Sequence, residues 1–204
     1  MSVNGKVLIG FSKPYVAQYT VSSGTVTYAS GQILARGVSV TVTPDSNDDN
    51  NFYADNQIAE TAGAVFTGGE FTLGVDGLLI AAERFIYGQS TPTNVTVGTA
   101  TVAVTMASAN DVAPYVGIGY VEKWMSDGTI YYTPKVLTKC RFDLPEESAE
   151  TQGEEIDWQT KELSGKIMRD DSTNSVWKKT GADQSSEADA ENVVRVLLGM
   201  AVLS

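Results

Sequence analysis

The sequence predicts a single β-rich domain with appendages, and three observations carry that prediction. Apolar and polar residues alternate over short stretches rich in Val, Thr, Ser and Tyr, an Asp-Gly pair separates two such stretches, and only two segments have the grammar of a helix. The 204 residues, 42% hydrophobic and 19% charged, suffice for one ordinary core. No repeat at solenoid spacing and no linker divides them, so 1–204 reads as one domain. It carries an inserted hairpin at about 89–110 and a C-terminal arm and helix at about 160–204.

Strand signals run from Val3 to Thr43, most plainly at 37–43, where Val38, Val40 and Val42 alternate with Ser39, Thr41 and Thr43. Residues 44–51, Pro-Asp-Ser-Asn-Asp-Asp-Asn-Asn, are turn-formers throughout and read as a long mobile loop. A second β stretch over 64–73 makes the two flanks a long hairpin around that acidic loop. Residues 76–88 have an acceptor at a plausible N-cap, Asp76, and a glycine past the end, Gly88. A three-turn helix is expected there, packing Leu79, Ile80, Phe85 and Ile86 on a sheet. Val95, Val97, Val102 and Val104 give two short strands turning near Gly98. Residues 115–124 and 130–142 form a hairpin about Asp127-Gly128. The stretch 143–155 collects six carboxylates and no cation, a surface connection. Strand-like pieces follow at 156–159, 163–169 and 175–179, and a final helix is expected over 186–198, ended by Gly199.

Charge and composition narrow the chemistry. Fourteen Lys and Arg against 25 Asp and Glu leave a net charge of -11, which offers phosphates no grip and argues against tight nucleic-acid binding. With no histidine, the commonest general base and zinc ligand is missing. Cys140 stands alone between Lys139 and Arg141, so no intrachain disulfide or thiolate cage is expected, and a packed, inert strand residue in a reducing cytosol is the better reading. Neither a signal peptide nor a membrane-spanning run is read in the chain.

The remaining motifs are weak. Glu154, Glu155 and Asp157, or Asp48 and Asp49, are carboxylate groups, but sequence neighbours in a turn seldom face each other across a cleft. The string 45–50 has the look of a calcium loop but lacks its downstream glycine and closing glutamate. Gly117 and Gly119 lie in an alternating strand pattern, where close packing explains them better than a dinucleotide loop. Asn94-Val95-Thr96 fits a glycosylation acceptor and carries no weight without a secretory signal. No enzyme activity, cofactor or metal is therefore expected. More informative is the absence of any Lys or Arg between Arg36 and Arg84, which makes the first long hairpin purely acidic. Exposed edges on such a hairpin invite uncontrolled pairing unless other copies cover them.

The order of elements resembles the siphophage major tail proteins of the phi13 type, which build the tail tube. Three stretches carry the resemblance: 48–56 followed by Glu60, 113–120, and 142–145 leading through 151–160 to 162–165. The resemblance implies a β-sandwich or partly closed β-barrel of tail-tube type with one flanking helix, a long hairpin and a C-terminal helix. It implies six copies in a ring, rings stacked into a tube, and DNA passing through an acidic lumen without specific binding. Implied partners are the tape measure, tail terminator and baseplate proteins, in a virion tail assembled in the host bacterial cytoplasm. On this reading Asp45, Asp48, Asp49, Asn50 and Asn51 make inter-ring contacts, and Phe52, Tyr53, Asp55 and Asn56 lie on an inter-subunit hairpin. Lys178 and Lys179 face neighbours or the exterior, and the 89–110 insertion is an outer decoration. Two rivals stand beside it. One is another tail component, a terminator or baseplate hub. The other is a host-glycan adhesion module using Trp124, Tyr131, Tyr132 or Trp158 as a sugar platform, against which ordinary sheet packing is weighed.

Overall fold

A computed structural model describes residues 5–149, 151 and 158–203. β1 (Val7–Ser22) turns through Ser23 and Gly24, at φ of 49° and 75°, into β2 (Thr25–Ile33). β3 (Gly37–Ser46) pairs with β6 (Phe66–Val75), and between them projects a hairpin of β4 (Asn50–Ala54) and β5 (Gln57–Ala62). After α1 (Ile80–Tyr87) comes a second small hairpin, β7 (Thr93–Val97) and β8 (Ala100–Val104). The chain continues through β9 (Val116–Ser126), β10 (Thr129–Phe142), β11 (Lys161–Met168), β12 (Lys178–Thr180) and α2 (Glu187–Leu197).

The large strands form one antiparallel sheet in the order β2-β1-β9-β10-β11-β6-β3, with β12 beside β10. Its two outermost strands, β2 and β3, are consecutive in the chain and joined by only Leu34, Ala35 and Arg36. Laid flat, seven strands would hold those edges roughly 29 Å apart, while four Cα steps reach about 14 Å at most. The sheet therefore curls until β3 comes against the first half of β1 along a seam. The Leu34 amide donates to the Pro14 carbonyl of β1 at 2.8 Å, and the Arg36 amide donates to the Asp76 carboxylate beyond β6 at 3.0 Å. Across the seam Phe11 of β1 lies directly over Gly37, where a Cβ would come within 2.2 Å of its ring. No ladder joins β2 to β3 among the described residues, so the sheet is curled but not a closed barrel. The expected mainly β chain with a flanking and a C-terminal helix is what forms, as one continuous sheet and not two stacked ones.

Two cores lie on opposite faces of this sheet. Val16, Ile118, Leu137, Leu163 and Ile167 bury one face together with Ala82, Ile86 and Tyr87 of α1. Tyr15, Ala17, Val121 and Val136 bury the other under Ala190, Val194 and Leu198. The central strand β9 is consequently buried on both faces from Val116 to Glu122, which is why its sequence is apolar without a polar side. Gly117 and Gly119 serve close packing, as expected. A Cβ at Gly119 would sit 2.4 Å from Val194 Cγ1, and one at Gly117 would meet Tyr28 and Leu198. Between Leu137 and Cys140 the β9–β10 register shifts, a bulge that lets Leu137, Cys140 and Phe142 share one core although their spacing is not strictly alternate. Cys140 is fully buried, and burial pushes its thiol far above the ordinary value.

The C-terminal helix follows its expected grammar. Ser186 Oγ caps it by accepting from the Ala188 amide at 3.2 Å, and Gly199 ends it at a φ of 68°. It is fastened to β1 by polar contacts: Tyr15 Oη donates to buried Glu191 at 2.5 Å, and Lys13 Nζ lies 3.2 Å from the same carboxylate. The Asp127-Gly128 turn is also as expected, both residues left-handed at φ of 47° and 76°.

Several expectations need correction. Asp76 does not cap α1; its carboxylate is taken by Arg36, whose guanidinium holds it below the usual aspartate range, and the helix starts uncapped at Leu79 and runs only eight residues. Leu79 and Ile80 are exposed and only Ile86 of the expected apolar set is fully buried. Val38 falls in a bulge between Gly37 and Ser39 and is exposed, leaving Val40 and Val42 to pack inward. The expected strand over 156–159 falls mostly outside the described residues, and Trp158 and Gln159 are in none.

Two outcomes follow. Gly119→Ala should destabilise by about 1–3 kcal/mol, because stiff Val194 must move off the sheet; Gly10→Ala, whose new Cβ would find its nearest atom at 3.6 Å, should change stability by less than about 0.5 kcal/mol. Denaturant titration of both variants checks this. Asp171 is held below the usual range by Lys139 and Tyr19, and Asp183 by Thr133 and Lys6. The folded state thus releases these protons more readily than the unfolded chain. Their stabilisation is complete above about pH 5 and is lost as pH falls from there through the lowered values. The doubly substituted Asp171→Asn, Asp183→Asn protein should therefore show a flatter fall of melting temperature below pH 4 than the parent.

Candidate functional site

The long hairpin is where the unusual charge distribution becomes a structure. Its stem is the β3–β6 ladder, which ends at the Ser46–Phe66 pair. There Phe66 stacks on Trp177 with centroids 4.6 Å apart and planes 7° from parallel, so the base of the hairpin is anchored to the body. On the stem, Lys166 of neighbouring β11 lies opposite Glu70 and forms an ion pair with it, lowering the glutamate and raising the lysine from their ordinary values. The stem is therefore not without cations in three dimensions, although its own two strands carry none.

Beyond the stem the expected mobile loop is absent. Pro44, Asp45 and Ser46 belong to β3, and Asn50 and Asn51 to β4, leaving only Asn47, Asp48 and Asp49 between strands. These form a joint in which side chains substitute for ladder hydrogen bonds. The Val65 amide donates to Asn47 Oδ1 and the Ala64 amide to Asp49 Oδ1, each at 2.7 Å. Short Asn and Asp side chains reach the backbone in this way, so the composition that reads as loop builds a bent strand connection instead.

The arm past the joint is β4 and β5, turning at Asp55 and Asn56, both left-handed at φ of 51° and 62°. This two-residue turn, of the kind Asn and Asp favour, is the feature the sequence reading missed: Asp55-Asn56 between alternating residues was its signal. Thr61 Oγ1 donates to Asn51 Oδ1 at 2.7 Å across the strands. Tyr53 faces Ile58 in register and Phe52 faces Glu60. Phe52, Tyr53 and Ile58 are 64, 62 and 54% exposed, and Val65 at the joint 63%. A lone two-stranded hairpin is marginal in water, and here nothing among the described residues covers its apolar side chains.

The nine residues expected to make assembly contacts are thus divided among three places. Asp45 is on the stem, Asp48 and Asp49 are at the joint, and Asn50, Asn51, Phe52, Tyr53, Asp55 and Asn56 are on the arm. Lys178 and Lys179 lie on β12, with Lys178 Nζ 4.7 Å from the Trp177 ring centroid and no carboxylate within ion-pair distance of either lysine among the described residues.

Other candidate chemistry is sparse. No group of three metal-ligating side chains lies together among the described residues, and the calcium-like string 45–50 is drawn out along the stem and joint. Glu154, Glu155 and Asp157 lie outside the described residues. A cavity of about 240 Å³ between β3, β9 and β10 holds the Glu122–Lys135 ion pair, 2.6 Å long, and no second carboxylate. Trp124 and Tyr131 are cross-strand partners, whereas Tyr132 turns to the α2 core, so these rings do not make one platform. Trp158 is 85% exposed. No family model matches the chain, and no curated protein matches it.

Replacing Asn47 and Asp49 with alanine removes two hydrogen bonds worth about 1 kcal/mol each. Hydrogen exchange at the Ala64 and Val65 amides should then speed up about fivefold, while the melting temperature stays within a degree or two because these bonds oppose only local opening of the hairpin, outside the two cores whose unfolding sets it.

Proposed function

We propose that this chain is a structural virion protein that assembles into stacked hexameric rings forming the tail tube, a conduit for phage DNA. The observation that carries the reading is the arm: an acidic two-stranded projection, anchored at its base by Phe66 on Trp177, with Phe52, Tyr53 and Ile58 left uncovered in the single copy. Such a surface suits contact with another chain. β2 and β3 are each hydrogen-bonded to one strand only among the described residues, which leaves backbone groups that a neighbouring copy would pair. The resemblance over 48–56 with Glu60, 113–120, and 142–145 through 151–160 to 162–165 supplies the kind of assembly, and the net charge of -11 suits a lumen along which DNA slides without being held.

In this reading the joint carboxylates Asp48 and Asp49 meet cations of the next ring, such as Lys178 and Lys179, which have no carboxylate within ion-pair distance among the described residues. The tape measure, terminator and baseplate proteins are the partners it calls for. One observation favours the adhesion reading, the 85% exposure of Trp158, and glycan binding by the isolated protein would decide for it.

Replacing residues 47–65 with a two-residue turn should leave the melting curve and β-sheet circular dichroism nearly unchanged, because every residue removed is outside the two cores. Complementation of a phage lacking this gene should then yield no tails by negative-stain microscopy. Normal tails from the shortened protein would overturn the reading of the arm. A chain that stays monomeric at all concentrations and is absent from virion tails would overturn the tube.

A further inference from the structure

We draw no further inference here: the strongest candidate, the cavity of about 240 Å³ beneath the hairpin stem, where buried Glu122 keeps one carboxylate oxygen without a hydrogen-bond partner among the described residues, carries nothing because that oxygen is closed off from the cavity as well as from solvent, so nothing in the structure shows what group would reach it.

Discussion

The three-residue link between β2 and β3 governs the architecture. It joins the two outermost strands of the sheet, and no flat arrangement lets Leu34, Ala35 and Arg36 span that separation. Curling brings Phe11 onto Gly37 and drives Leu34 into the core at 2% exposure. Burying that leucine contributes roughly 1.5–3 kcal/mol, whereas the exposed Arg36–Asp76 pair fixes direction more than it stabilises. The curl makes a concave face that α1 and the long strands fill, and a second face left for α2.

With both faces covered, β9 becomes the spine. It is buried on either side from Val116 to Glu122, and its two glycines admit Tyr28 and α2 closely enough to seal the second core. The two cores are built on it with β1, β10, β11, β6 and both helices. The β4–β5 arm and the β7–β8 hairpin lie outside both cores, and their apolar residues contribute to no core in a single copy. A chain that keeps Phe52, Tyr53, Ile58 and four valines exposed on two such hairpins leaves part of its hydrophobic surface out of the folding of a single copy.

Much of the fold was legible because local rules decide it. Asp127-Gly128 prefers the left-handed turn that hairpins need, Ser186 is a good cap and Gly199 a good stop, and the valines at 95–104 alternate with the period of a strand. The acidic stretch at 44–51 was misread for a physical reason. Asn47 and Asp49 are turn-formers because their side chains reach nearby backbone amides, and in the folded chain the amides they reach belong to Ala64 and Val65 on the returning strand. Asp76 failed in the same way: its carboxylate, competent to cap a helix, is captured by Arg36 from forty residues upstream.

By itself the sequence determined the longer strands, both helices and the concentration of negative charge on the first hairpin, since each depends on neighbours in the chain. Tertiary structure alone decided the strand order, the seam, the pairing of Glu70 with Lys166 and the choice of which apolar residues stay uncovered. Those outcomes turn on which segments meet across long loops. Leu79, Ile80 and Val38 are as hydrophobic as Ile86 and Val40, and only the position of the curled sheet leaves the first three in water.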